Sequence, residues 1–198
     1  MYKLFTKPLY RLLIFIPFLI LTGCAVAKQP IFLSSTFGQE KIESIQVLPV
    51  VDFRFNKEPE LPELDKWVLG EVKSKLKRKE YTFTIASDTS LVDNITEEDL
   101  QEVDAEWVKN LGPSDSRWVI VIALLDAKSN LTFGSTGNAE VSGYLFDKKD
   151  GSMVWRDKGI GKVGQGGLVG MLLKGSMLRD AVKKATVDLM NSFPKNEI

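Results

Sequence analysis

The chain has one thiol, Cys24, and no histidine. Without an imidazole there is no Ser-His-Asp or Cys-His relay to activate a nucleophile, and no histidine ligand for zinc or iron. Composition leaves three chemistries: acid–base work by paired carboxylates, lysine chemistry, and a cation held entirely by oxygens. The acids between Asp93 and Glu106 are a candidate for the last. They lack the alternating ligand spacing and the turn glycine of a calcium loop, so the segment reads as a solvated helical face. Gly159-Ile160-Gly161-Lys162-Val163-Gly164 matches the letters G-x-G-x-x-G of a dinucleotide-binding turn. That turn belongs at the first strand-to-helix junction of a βαβ unit, with an acid at the end of the next strand, and here one helix remains before the chain stops. The expectation is therefore no cofactor, no metal, no catalytic residue and no enzyme activity of its own.

The position of Cys24 is more informative than its chemistry. Lys3, Lys7 and Arg11 precede an apolar run, Leu12 to Leu21, that ends in small residues. The run is about half of the roughly 20 apolar residues needed to span a bilayer, so residues 1–23 read as a secretory signal peptide. Leu21-Thr22-Gly23-Cys24 resembles the bacterial lipobox. The resemblance implies that the thiol receives a diacylglycerol, that the preceding peptide is cut off, and that the new amino terminus is acylated too. Two or more chains give stable anchoring where one does not. Ala25 stands where proteobacterial lipoproteins kept at the inner membrane tend to carry aspartate, which implies the outer membrane, with the domain facing the periplasm. Removal of residues 1–23 leaves 175 residues, enough for one domain with a proper core. It also leaves 23 basic against 26 acidic side chains. That balance gives no electrostatic footprint for nucleic acid.

Residues 24–41 are polar and mixed and read as a lipidated tether, with the folded domain over 42–198. Ser44 to Asp52 is a β-branched strand interrupted by Pro49. The acids and prolines from Glu58 to Glu63 start a helix. Leu64, Val68, Val72 and Leu76 then recur every four residues, so one face is buried. Tyr81 to Ile85 alternates as a second strand, and strand-helix-strand implies a right-handed parallel crossover. Thr96-Glu97-Glu98-Asp99 approximates a capping box, and the helix from Asp104 stops at Gly112-Pro113. Arg117 to Leu125 is apolar without alternation, the mark of a strand covered on both faces. Residues 130–137 read as a loop or twisted continuation, and 138–146 with 152–158 as a hairpin across Asp150-Gly151. Beyond it, the glycines from Gly159 to Gly175 read as a flexible or close-packing segment. The last helix follows, with Leu178, Ala181, Val182, Ala185, Leu189 and Phe193 as its stripe. Leu168, Val169, Met171, Leu172 and Leu173 are more apolar side chains than one helical face absorbs. They are expected to form a contact surface for self-association or membrane, or else the buried start of the last helix.

The order β-α-β-α-β-β-β-α after a lipobox resembles a domain family of the bacterial envelope. The family includes the amino-terminal domain of the TolB translocation protein, the curli-secretion lipoprotein, the lipoprotein activators of peptidoglycan synthases and the Pel exopolysaccharide lipoprotein. Val47-Leu48-Pro49-Val50, the stretch from Leu91 to Leu111 leading into Trp118 to Leu124, and Gly166 to Leu172 carry the likeness. The resemblance implies a single α/β domain, a three-layer α/β/α sandwich with a mixed sheet of about five strands. It implies a non-catalytic adaptor or scaffold in an envelope assembly or export complex, with other envelope proteins and its own copies as partners. A regulator of a peptidoglycan synthase is the alternative, and a carboxylate-based enzyme a third reading. A regulator needs reach, and about 17 tether residues average only on the order of 20–25 Å. No long paired strands are expected beyond the hairpin at 138–158, so a pore is not.

Overall fold

The computed structural model describes residues 28–57, 61–132, 134–167 and 174–196. In chain order these form β1 (Phe32–Leu33), β2 (Ile45–Val47), β3 (Val51–Asp52), α1 (Leu61–Arg78) and β4 (Phe83–Ile85). A 3-10 turn (Thr89–Leu91), α2 (Glu97–Gln101) and α3 (Ala105–Lys109) follow. Then come β5 (Trp118–Thr132), β6 (Gly134–Asp147), β7 (Ser152–Gly166) and α4 (Lys174–Asn191).

The described residues fold as three layers, α/β/α, around one mixed sheet of seven strands in the order β1-β7-β6-β5-β2-β4, with β3 also on β5. β2 and β3 pair with β5 in parallel and β4 pairs with β2 in parallel, while β5, β6 and β7 form an antiparallel meander and β1 closes its far edge. The class matches the expectation, but the strand count exceeds five. Pro49 splits the first strand into β2 and β3, because proline brings no N–H to a ladder. β1 is the other addition, and it comes from the stretch expected to be a free tether.

From residue 28 that stretch lies on the domain. Phe32 and Leu33 pair with Arg156 and Trp155, and Phe37 meets Phe193 edge-on with centroids 6.4 Å apart. Glu40 accepts from Arg117 and from Lys149, the latter at 3.0 Å. Lys28 Nζ lies 2.9 Å from the buried Asp157 carboxylate and 3.2 Å from Asp188, and donates to the Lys158 carbonyl at 2.6 Å.

β5 sits between two cores, as its unbroken apolar run requires. Ile120, Ile122 and Leu124 pack under α1 and α4 with Leu64, Val68, Val72, Leu76, Ala181 and Leu189. Val119, Val121 and Ala123 pack under α2 and α3 with Leu100, Val108 and Leu111. The capping box forms: Thr96 Oγ1 accepts from Asp99 N, and the Asp99 carboxylate accepts from Thr96 N.

The meander is longer than the sequence implies. β5 runs past an irregularity between Leu124 and Asp126 and stays paired with β6 up to Thr132↔Gly134, so residues 130–137 are strand. The expectation of no long paired strands beyond the hairpin at 138–158 is corrected accordingly: β5, β6 and β7 span 15, 14 and 15 residues. They are layered under a helix, because Gly159 and Gly161 let α4 lie directly on β7. A Cβ at Gly161 would collide with the Ala181 carbonyl and sit 2.7 Å from Ala185 N, and one at Gly159 would sit 2.6 Å from Leu189 N. These glycines are thus strand residues in close packing, which removes the structural context a dinucleotide turn needs.

β7's outward backbone groups are met by side chains. Ile160 N donates to Asp188 at 3.2 Å, and the Lys158 and Lys162 carbonyls accept from Lys28 and Lys184.

Candidate functional site

β2 and β4 are parallel neighbours whose chains leave to opposite faces of the sheet. From β2 the chain runs through β3 into α1 over one core; from β4 it runs into the 3-10 turn, α2 and α3 over the other. In an open α/β sheet such a switch point leaves a crevice beyond the carboxyl ends of the strands, where ligands bind. A cavity of about 570 Å³ lies there. Val50, Phe53, Val92 and Ile95 make its apolar wall, and Asp52, Asp65 and Asp93 with Thr89 its polar one.

The carboxyls of Asp65 and Asp52 are displaced in opposite directions. Burial pushes the Asp65 carboxyl up, outweighing the hydrogen bond from Val50 N at 3.4 Å and the charge of Lys73. Burial also raises Asp52, but the Arg54 side-chain and backbone hydrogen bonds and the charges of Arg54 and Lys57 outweigh it and leave Asp52 low. Arg54 is 3 % exposed and grips Asp52 as a fork, Nε to Oδ1 at 2.8 Å and Nη2 to Oδ2 at 2.9 Å. Its remaining nitrogen, Nη1, is buried without a hydrogen-bond partner among the described residues. Two carboxyls displaced in opposite directions are what acid–base chemistry uses. Here one of them already has both oxygens in an ion pair. The arrangement suits recognition of a group that is apolar in body and cationic at the end facing Asp65.

A second cavity, about 680 Å³, opens near the starts of β2 and β5 between Glu43, Gln46, Asp115 and Arg117. It is more polar and is bordered by the Arg117–Asp147 pair at 2.7 Å. Among the described residues no group of three or more cysteine, aspartate or glutamate side chains is placed to hold a metal. No described helix is long and apolar enough to cross a membrane.

The residues singled out from sequence, Cys24 and Leu168, Val169, Met171, Leu172 and Leu173, lie outside the described residues. The cavity acids were not singled out. Asp65 follows Leu64 on a helix that reads as a plain amphipathic element, and Asp52 merely ends a strand. Only the crossing of connections brings them together.

The chain is thus a three-layer α/β domain with a small cavity at its switch point. No family model and no curated protein matches it. Among solved structures it is similar to the PelC dodecamer from Paraburkholderia phytofirmans, at 13 % identity over 85 % of this chain and 96 % of that one, with a TM-score of 0.48. It is similar to lipoprotein GNA1162 from Neisseria meningitidis, at 17 % identity over 67 % and 93 %, TM-score 0.44. A minor lipoprotein from Acinetobacter baumannii aligns at 8 % identity over 77 % and 97 %, TM-score 0.41.

Proposed function

We propose that the chain is a lipid-anchored lipoprotein of the outer membrane that faces the periplasm and serves as a non-catalytic adaptor in an envelope assembly. The spacing of anchor and domain carries the reading. Cys24 stands four positions before Lys28, and Lys28 is already ion-paired with Asp157 and hydrogen-bonded to the Lys158 carbonyl on the sheet. An adaptor works beside its membrane, whereas a synthase regulator needs a reach that residues 25–27 do not supply. Opposite α4, the far half of the meander offers Lys128, Asn130, Thr136 and Lys162 as an exposed polar face for partners. Leu168, Val169, Met171, Leu172 and Leu173 are the proposed apolar contact, for its own copies or for membrane.

Metabolic labelling with a fatty-acid analogue tests the anchor: wild type takes up label and Cys24→Ala does not, and equal labelling refutes it. Crosslinking followed by pull-down tests the adaptor, and a peptidoglycan synthase as sole partner would favour the regulator. Leu168→Asp and Leu172→Asp test the contact surface; folded variants with altered oligomer size or lipid binding support it, and loss of the cooperative melt in both refutes it. The opposed carboxyls favour a second reading, carboxylate catalysis. Asp65→Asn and Asp52→Asn variants that stay folded yet lose the cellular phenotype would put that reading first.

A further inference from the structure

The sheet's outer edge combines an exposed apolar segment with a short run of chain back to Cys24. Ile31, Phe32 and Leu33 are 63 %, 40 % and 44 % exposed, three consecutive apolar side chains formed by edge strand β1 and the residue before it. Edge strands of soluble domains are ordinarily guarded by charge rather than lined with large apolar groups. The segment begins three residues after Lys28, which Asp157, Asp188 and the Lys158 carbonyl hold in place. Four residues of chain span at most about 14 Å, so the Cys24 Cα lies within that distance of Lys28 Cα whatever path residues 25–27 take.

We infer that the bilayer surface is the occupant of this edge: Ile31, Phe32 and Leu33 lie in the headgroup layer and set the domain's orientation on the membrane. The inference rests on the proposed acylation of Cys24. A diacylglycerol bonded to that thiol holds its Cα at the level of the headgroups. With four residues from Cys24 to Lys28 and four more to Phe32, β1 starts within about 28 Å of that level at full extension of the chain. Neighbouring charge adds little, since Lys28 is paired with Asp157 and Asp188 and Lys158 with Glu140; Arg156, beside Phe32 in the ladder, is the cation placed to gain from anionic lipid. The outer backbone groups of β1 have no strand beyond them, which excludes the hydrocarbon core, where unsatisfied amides are costly, and fits the wet interface. The opposite edge, β4, lies five strand spacings away, about 24 Å. It should stay in water.

The test uses the full lipidated chain in vesicles of phosphatidylethanolamine and phosphatidylglycerol. Cys24 is blocked by its lipid, so Leu33→Cys and Ser87→Cys accept an environment-sensitive fluorophore at the two edges. Ile31→Cys is a second site should a label at 33 disturb β1. The expected result is a blue-shifted emission, quenched by spin-labelled lipid, at 33 or 31, and a water-like, unquenched emission at 87. Water-like emission at all sites in vesicle-bound protein, with acylation verified by mass, overturns the inference and leaves the proposed function standing. A shielded probe at 33 that lipid quenchers do not reach overturns it in favour of a protein covering the edge. A mass lacking the lipid at Cys24 removes the anchor reading itself, and this inference with it.

Discussion

Replacing Gly161 by alanine should destabilise the domain, and the structure fixes the reason. A new Cβ at Gly161 meets the Ala181 carbonyl head-on and lies 2.7 Å from Ala185 N, where ordinary contact begins near 3.4 Å. Both obstacles are backbone atoms of α4, so no side chain can swing away. α4 must retreat by about 1 Å along this line, which loosens dispersion contacts along its stripe. That stripe includes Leu178, Ala181, Val182, Ala185 and Leu189, all at most 5 % exposed. Overpacking of this kind costs typically 1–3 kcal/mol and sometimes more. Removing glycine from a strand returns about 0.5–1 kcal/mol. The net expectation is a loss of about 1 kcal/mol or somewhat more. For a domain of this size that lowers Tm by roughly 2–5 °C. Gly166→Ala is the control, because nothing lies within 4 Å of its Cβ position and its φ is ordinary. It should be neutral or slightly stabilising. Urea unfolding of the two variants with the wild type gives the comparison. If Gly161→Ala melts with wild type, α4 does not rest on β7 as described, and the glycines of 159–166 return to the status of an open surface.

Lys28→Ala should cost about 2 kcal/mol, because Asp157 is 2 % exposed and loses its cation, the cost being tempered by the 29 % exposure of Lys28; thermal melts measure it. Asp52→Asn strands the buried Arg54 guanidinium and should cost about 3–5 kcal/mol by urea unfolding at neutral pH. The wild-type Asp52 pair contributes stability above the ordinary carboxylate range, and it is lost as pH falls through the lowered value, so the gap to the variant should narrow in acid. Asp65 has the opposite sign: its carboxyl is raised, so its ionisation costs stability as pH rises through the ordinary carboxylate range toward the folded value. Asp65→Asn should therefore stabilise at neutral pH and match wild type in acid, and a destabilised variant at neutral pH would refute the burial account. Thr96→Ala removes one half of the capping box and should cost about 1 kcal/mol in the same assay.

What the sequence disclosed and what it concealed divide along physical lines. The four-residue spacing of Leu64, Val68, Val72 and Leu76 and the unbroken run Val119 to Leu124 report burial directly, and both elements lie where that burial requires. Pro49 and the Thr96–Asp99 box act through the backbone and are equally plain. β1 was hidden because two residues make no period, and its pairing depends on Arg156 and Trp155, more than 120 positions away. The far half of the meander was hidden by composition. Asn130, Gly137 and Asn138 are poor strand formers, and only their partners across the sheet hold them extended. Gly159 and Gly161 did carry a signal: two apart is the spacing of one strand face, and Ala181 and Ala185, four apart, are the small residues that would meet it. The cavity acids gave none, since Asp52 and Asp65 belong to different elements and meet only through the order of the strands.

The side chains that cap β7 close a sheet edge, and an open strand edge becomes a seed for polymerisation wherever copies of a chain are crowded together. Lys28, Asp188 and Lys184 occupy the Lys158 carbonyl, Ile160 N and the Lys162 carbonyl, the groups an incoming strand would take. Pairing through this stretch of β7 is therefore closed, and the lysine and aspartate guards keep two such edges from fusing their sheets.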